Sequence, residues 1–253
     1  MILDTAYISA IGDRSSNQDA LTQASEDELS CFVVADGTGG HAGGEVAADL
    51  VTQAIVEKFL QEASFSAHAL RSYLDWAAIK VEQHQQLTAK HADMSATVAC
   101  LLIDQSNCCA LWTHLGDTRI YLFRLGKIIH VSKDHSMAQR LVDAGYAKYE
   151  ELRQHPQRNQ LYAAIGAQGD SFPDLTPEPF AVQDGDAFLL CSDGFWEWVS
   201  DDEMGQSLRQ ASSSDAWLAN MNKIAEQNIA RTNSRRDNFS AFAICLHAPT
   251  VAS

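Results

Sequence analysis

The residues with the clearest chemical potential are aspartates at the ends of apolar segments. Asp36 and Asp193 each come directly after an apolar segment and before a glycine, and Asp237 stands just before another apolar segment. Asp117, in the sequence Leu-Gly-Asp, is a fourth residue of this kind. Because adjacent strands of a sheet end close together, these side chains can meet although they are far apart in the sequence. One such aspartate is ordinary in a turn, whereas several with the same placement predict a shared site.

Carboxylates that meet in this way need a cation. Without one they would repel each other and raise each other's pKa. Carboxylate and carbonyl oxygens, with no cluster of histidine or cysteine, favour Mg²⁺ or Mn²⁺ over zinc. We therefore expect the chain to bind Mn²⁺ or Mg²⁺.

The segment after Asp36 is unusually rich in glycine, which makes up five of the eight residues from Gly37 to Gly44. Such a backbone can take positive φ and approach a ligand closely. Three interpretations are open: a flexible hairpin, a dinucleotide-binding loop with Glu57 about twenty residues on, and a metal-binding turn that uses Asp36 and the Gly37 carbonyl. The dinucleotide loop is the weakest, because Asp36 would set a negative charge beside the pyrophosphate and no compact βαβ unit follows.

Composition excludes several classes of protein. With 253 residues, 46% of them hydrophobic, the chain can form a sizeable core. Its 33 acidic residues outnumber its 18 basic residues, so nucleic acid would be repelled and is not an expected partner. The six cysteines show no C-x-x-C spacing, and no apolar segment is long enough to span a bilayer. Residues 1–5 lack the basic and long apolar regions of a signal peptide, so we expect none. We expect no membrane association and a cytoplasmic location.

Hydrophobic periodicity predicts the order of the elements. We expect strands at 3–11, 29–35, 96–103, 109–114, 118–124, 127–131, 187–191 and 239–246, and helices at 46–59, 70–81, 201–210 and 215–230. The short connections between residues 96 and 131 predict an antiparallel β-meander. An irregular excursion at about 134–175 follows, and nothing in the sequence divides residues 1–253 into more than one domain.

Five short motifs, taken together and in order, resemble the bacterial type of the metal-dependent protein phosphatase 2C family. They are Arg14-x-x-Asn17-Gln18-Asp19, Asp36-Gly37-Thr38-Gly39-Gly40-His41-Ala42-Gly43-Gly44-Glu45, Gly116-Asp117-Thr118-Arg119, Ser192-Asp193-Gly194 and Arg236-Asp237-Asn238. The resemblance implies an α+β fold, a four-layer α-β-β-α sandwich in which helix pairs flank two antiparallel sheets. It also implies two metal ions in the core site and a third, weaker site.

The resemblance implies a role for each matching residue. Asp36 resembles the carboxylate that bridges two metals, beside the Gly37 carbonyl. Asp193 and Asp237 resemble ligands of the first metal. Asp19 resembles an acidic residue that orients metal-bound water or binds a metal through it, and Asp117 resembles a ligand of the third metal. The chain departs from the family at Gln18, where an acid is frequent, and at Thr38, where methionine is commoner.

The implied reaction is hydrolysis of phosphoserine and phosphothreonine. Two metals about 3.5–4 Å apart can share a water and produce a bridging hydroxide for in-line attack. Arg14 resembles the phosphate-binding arginine of the family. A guanidinium suits this role because it can engage two phosphoryl oxygens at once. His41 is the candidate general acid, since imidazole titrates near neutral pH; the alternative is a structural histidine of the loop.

The implied protein is a monomeric serine/threonine phosphatase that acts on phosphorylated proteins and opposes a serine/threonine kinase. The excursion at 134–175 resembles the flap that borders the cleft in bacterial relatives, where it would shape substrate choice; the alternative is surface decoration. A different class of function also remains open, a phosphoprotein-binding pseudophosphatase that keeps the fold without turnover.

Overall fold

The computed structural model describes residues 1–38, 43–169 and 172–249, which form strands and helices in alternating blocks. The strands are β1 Ile2–Ala10, β2 Asp19–Glu26, β3 Leu29–Asp36, β4 Val98–Asp104, β5 Cys109–Leu115, β6 Arg119–Arg124, β7 Lys127–Val131, β8 Asp174–Leu175, β9 Phe180–Ala181, β10 Asp186–Cys191 and β11 Phe239–His247. The helices are α1 Gly44–Glu62, α2 Ala67–Leu87, α3 Met137–Asp143, α4 Asp193–Trp196, α5 Asp201–Gln210 and α6 Ser214–Thr232.

The strands form two antiparallel sheets. The first has the order β1-β11-β10-β6-β7, and the second has the order β2-β3-β4-β5-β8, with β9 also paired to β5. Helices α1 and α2 pack on the second sheet, whereas α5 and α6 pack on the first. The predicted four-layer α-β-β-α sandwich is confirmed.

The alternation of side chains along the central strands explains the layers. In β3, Cys31 and Val33 pack against the α1–α2 layer, and Phe32 and Val34 pack against the other sheet. Successive side chains of a strand point to opposite faces, so a strand between two cores is apolar on both. The two sheets meet through aromatic contacts such as Phe32 with Phe242, whose ring centroids are 5.5 Å apart.

The middle of the chain differs from the predicted β-meander. Strands β4 and β5 form a hairpin in the second sheet, and β6 and β7 form a hairpin in the first. The connection at residues 116–118 therefore crosses from one sheet to the other. A connection this short usually joins neighbours of one sheet, which is why the pattern indicated a meander.

Strand β2 is the largest element that the sequence did not predict. It lies at the edge of the second sheet, where four of its eight residues are half-buried and three are exposed, and it lacks the continuous buried apolar run of β3. None of the helices in the described ranges is both long and apolar enough to cross a membrane. Four cysteines are buried as free thiols: Cys31, Cys100, Cys191 and Cys245.

Candidate metal centre

A cleft of about 910 Å³ opens where strands of both sheets end, and the predicted site residues gather in it. Its lining includes Arg14, Asp36, Gly37, Asp117, Asp193 and Asp237. Asp19 lies just behind them, buried, with its Oδ2 accepting a hydrogen bond of 2.7 Å from Ser192 Oγ. Every predicted site residue in the described part of the chain therefore lies in the cleft or directly behind it; His41 lies outside the described residues.

Asp36 and Asp19 are delivered by the β2–β3 hairpin, in which they are directly opposite each other. The Asp36 N–H donates to Thr97 Oγ1 at 3.2 Å, and the Asp36 carbonyl accepts from the Thr97 N–H at 2.8 Å. The next residue is also held by a backbone hydrogen bond: the Gly37 N–H donates to the Gln18 carbonyl at 3.0 Å. These backbone contacts hold the strand end while the Asp36 carboxylate faces the cleft.

Asp193 and Asp237 are brought together by the close approach of two chain segments of the first sheet. A Cβ atom at Gly194 would lie only 2.0 Å from the Asn238 carbonyl oxygen, so this position requires glycine. Asp193 begins the short helix α4, and Asp237 precedes β11. The Asp-Gly pair seen in the sequence thus reflects packing as well as a turn.

Asn238 is a residue whose contribution sequence reasoning missed. Its Oδ1 accepts from the Gln18 N–H at 2.9 Å, and its Nδ2 donates to the carbonyls of Ile11 and Ser16 at 2.8 and 2.9 Å. These bonds hold the loop that carries Arg14 against the segment that carries Asp237. The motif containing Asn238 was visible in the sequence, but its spatial partners lie more than 200 positions away.

Asp117 sits in the connection between the sheets and is supported from behind by an aromatic ring. Trp196 Nε1 donates to the Asp117 carbonyl at 2.9 Å, and the Arg119 guanidinium stacks 3.4 Å from the centre of the Trp196 ring. Arg119 also forms two hydrogen bonds of 2.7 Å with Asp134, in a pair that is fully buried. The sequence does not reveal this hydrogen bond between Trp196 and Asp117.

Burial, and then the charges of neighbouring carboxylates, raise the pKa values of the aspartates in the cleft. Burial and then the charge of Asp19 raise the pKa of Asp36 well above its ordinary value, and Asp193, Asp117 and Asp237 add to the rise. Burial raises the pKa of Asp19 to about 6 against an opposing hydrogen bond from Ser192, and burial with Asp134 raises the pKa of Asp117 to about 7. The pKa of Asp193 is also raised well above its usual range, by burial and then by Asp117.

Arg14 is the basic group of the cleft. Its guanidinium forms an ion pair with Asp237, and its side chain keeps 59% exposure. The exposed part of the fork is free to meet an anion in the cleft, while the pair fixes the direction of the side chain. This geometry agrees with the predicted contact between Arg14 and phosphate.

The residues present fit divalent cations. Asp19 Oδ1 is buried and has no hydrogen-bond partner within the described part of the chain, so it has a lone pair without a donor. Asp36 is surrounded by four further carboxylates that all raise its pKa. A hard cation among these oxygens would satisfy the orphaned atom and remove the repulsion, which is the donor set that Mg²⁺ and Mn²⁺ take.

The excursion between β7 and β8 forms one wall of the cleft. Asn159, Gln160 and Leu161 line it. The excursion is attached next to the metal centre by ion pairs of Arg158 with Glu197 and of Arg153 with Asp201. This position fits the flap that the resemblance implies.

Comparison with known proteins agrees with this geometry. The protein phosphatase 2C family model matches residues 8–236. The serine/threonine protein phosphatase PstP of Mycobacterium tuberculosis is 34% identical over 202 residues, which cover 78% of this chain and 37% of that protein. The serine/threonine phosphatase stp of Listeria monocytogenes serovar 1/2a is 28% identical over 222 residues, covering 84% of this chain and 86% of that protein.

A solved structure supports the same relationship. The crystal structure of the PstP catalytic domain in complex with two manganese ions superposes with a TM-score of 0.81 at 26% identity, covering 97% of this chain and 99% of that one. The named relatives are phosphatases, so the comparisons do not support a pseudophosphatase. The chain belongs to the protein phosphatase 2C family and is a metal-dependent serine/threonine protein phosphatase.

Proposed function

We propose that the cleft aspartates hold the metal ions of this phosphatase, with a separate role for each. Asp36, Asp193 and Asp237 are assigned to the first ion, and Asp36 with the Gly37 carbonyl to the second. Asp19 acts through water, and Asp117 belongs to a third site. The observation that carries the proposal is the gathering of four further aspartates around Asp36 (Asp19, Asp117, Asp193 and Asp237), each of which raises the pKa of Asp36. The two manganese ions bound to the PstP catalytic domain support Mn²⁺ as the working metal.

The remaining chemistry is carried by side chains of the cleft. Bound divalent ions would lower the pKa of water and neutralise charge on the phosphoryl group. Arg14 binds phosphoryl oxygens with the exposed part of its guanidinium and is oriented by Asp237. Asp19, held by Ser192, keeps a second oxygen free to orient water.

His41 is proposed as the general acid that protonates the leaving alkoxide. A His41→Asn variant separates this role from a structural one. It would hydrolyse alkyl phosphates much more slowly than the wild type but aryl phosphates nearly as fast, because a phenolate needs no proton to leave. An equal loss on both substrates would favour the structural role.

Substrates are phosphorylated proteins, and a serine/threonine kinase must supply them. We propose that the enzyme opposes such a kinase and that the whole chain acts as one catalytic domain with its flap. We also propose that the enzyme acts as a monomer, and analytical ultracentrifugation would test it. The six free thiols support a reducing compartment such as the cytoplasm, and cell fractionation would test that location.

The decisive experiment measures phosphate release from a phosphothreonine peptide. We expect turnover with Mn²⁺, none in excess chelator, and recovery when Mn²⁺ is restored. Asp193→Asn would lower Mn²⁺ affinity and turnover together. Asp75→Asn, an exposed aspartate of α2 paired with Arg71, is the matched control and keeps both. Full activity in chelator, or an Asp193→Asn variant that equals the control, would contradict the proposal.

A further inference from the structure

His135 lies at the start of the flap and holds the turn that carries Asp117 by two hydrogen bonds. The His135 N–H donates to the Gly116 carbonyl at 2.9 Å, and the Gly116 N–H donates to His135 Nδ1 at 2.9 Å. His135 is only 6% exposed. Both the N–H and the carbonyl of Gly116 are therefore hydrogen-bonded to His135.

The second of these bonds fixes the tautomer of the ring. Nδ1 accepts a hydrogen bond from the Gly116 N–H, so the neutral ring carries its own proton on Nε2. Nε2 lies 3.6 Å from Asp174 Oδ2, on the far side of the flap. Burial and then His114 lower the pKa of His135 to about 4, so the ring stays neutral and keeps its Nδ1 lone pair near neutral pH.

The same histidine belongs to a cluster that could be taken for a separate metal site. Ligand atoms of His114, His135 and Asp174 lie within 4.8 Å of one another. A metal on His135 Nε2 would require the proton to move to Nδ1, where it would face the Gly116 N–H. His114 Nε2 is also engaged, 2.7 Å from the Lys133 carbonyl. The hydrogen bonds therefore favour a clamp on Gly116 over an ion.

The turn that is clamped has little freedom of its own. Gly116 has φ of +101°, and a Cβ there would lie 2.4 Å from Thr97 Cγ2. Asp117 is 4% exposed, so its carboxylate cannot swing into solvent to compensate for a shift of the backbone. The position of the Gly116 peptide thus determines where the Asp117 oxygens lie.

We propose that His135 is a positioning residue that holds the Gly116–Asp117 turn in register with the metal centre, and so couples the root of the flap to that ligand. The proposal rests on the assignment of Asp117 as a ligand of the third metal. Removing a group that positions a metal ligand lowers metal affinity by about 10- to 100-fold.

Two substitutions test whether the hydrogen-bond acceptor at the position of Nδ1, without the rest of the imidazole ring, is enough to hold the turn. In His135→Asn the side-chain oxygen can take the place of Nδ1 and accept from Gly116, whereas in His135→Gln the oxygen reaches toward the place of Nε2. We expect His135→Gln to weaken the weakest Mn²⁺ site about 10-fold or more in calorimetric titration, and His135→Asn to stay close to the wild type. Asp174→Asn, which leaves the acceptor intact, also binds like the wild type.

Asp117→Asn distinguishes the failure of this inference from failure of the ligand assignment. If Asp117→Asn leaves Mn²⁺ binding unchanged, the ligand assignment is wrong and the positioning role falls with it. If Asp117→Asn loses the weak site but the two His135 variants bind Mn²⁺ equally, the positioning role alone is wrong.

A measurement on the wild type covers the case in which His135→Gln does not fold. During a titration with diamagnetic Mg²⁺, the Gly116 amide and the His135 Nδ1 resonances should shift together in ¹⁵N NMR spectra, and neither should shift in Asp117→Asn. A Gly116 amide that does not respond to Mg²⁺ in the wild type, or an Nδ1–H tautomer of His135, would overturn the proposal.

Discussion

Arg14 is the only basic side chain among the described residues that line the cleft. It partners Asp237 inside a group of carboxylates, yet more than half of its side chain stays exposed. The first positive charge that a phosphoryl group meets in the cleft would be that of the Arg14 guanidinium. Arg14 therefore affects substrate binding more than metal binding.

Arg14→Ala is predicted to lower kcat/KM for a phosphothreonine peptide by about 10- to 100-fold, because charged hydrogen bonds contribute ~1.5–3 kcal/mol. The affinity for Mn²⁺ should change little, since the aspartates remain. Steady-state kinetics and calorimetry measure the two quantities. Arg71→Ala, which changes a partly exposed side chain of helix α2, is the control. Weaker Mn²⁺ binding, with kcat/KM unchanged once Mn²⁺ is saturating, would show that Arg14 serves the metals instead.

Residue types predicted the acidic members of the site but not what holds them. Asp36, Asp193 and Asp237 were identifiable because an aspartate at the end of an apolar strand is conspicuous. Asn238 and Ser192 were not, because polar residues of these types are common in any turn. Their hydrogen bonds join segments more than 170 positions apart, and no local pattern carries that information.

At the scale of elements, the crossing between the sheets decides where Asp117 lies. The sequence predicted strands β4 to β7 well but joined them in one meander. The crossing is stabilised by the buried pair of Arg119 and Asp134, which ties the start of β6 to the start of the flap. A buried ion pair leaves no periodic signal, because each partner alone appears to be a surface residue.

Arg119→Met is predicted to destabilise the protein by about 3–5 kcal/mol, because Asp134 would be left buried without its counter-charge. Equilibrium unfolding in urea measures the loss. The double variant Arg119→Met with Asp134→Leu should lose less than the single variant, since no charge then stays buried. A single variant as stable as the wild type would show that water reaches Asp134 and that the pair does not fix the crossing.

The proposed metal ligands come from both sheets of the molecule. Asp19 and Asp36 belong to the second sheet, and Asp193 and Asp237 flank strands of the first. Ions held between them would join the two halves of the sandwich at its open edge. Anything that binds only the folded state adds to its stability, so metal and proton binding should both be visible in unfolding experiments.

In chelator, the Asp117→Asn variant is predicted to gain stability relative to the wild type as pH rises from about 4 to about 7. The pKa of Asp117 is about 7 in the folded protein, against an ordinary value of 3.8. Between these pH values the folded wild type holds a proton that the unfolded chain has lost, so the wild type loses stability as pH rises. Buried His114 and His135 act in the opposite direction but are common to both proteins. Thermal unfolding at several pH values measures the difference. A difference that is constant with pH, or that shrinks as pH rises, would mean that Asp117 is not strained.

The most direct test of the metal centre is calorimetric titration of the wild type and of Asp36→Asn with Mn²⁺. Asp36 is the carboxylate whose pKa all the others raise, and it is assigned to both core ions. The wild type should bind at least two Mn²⁺ ions per chain, the number held by the PstP catalytic domain, and Asp36→Asn should lose saturable binding at the same concentrations. Equal binding by the two proteins would contradict the account.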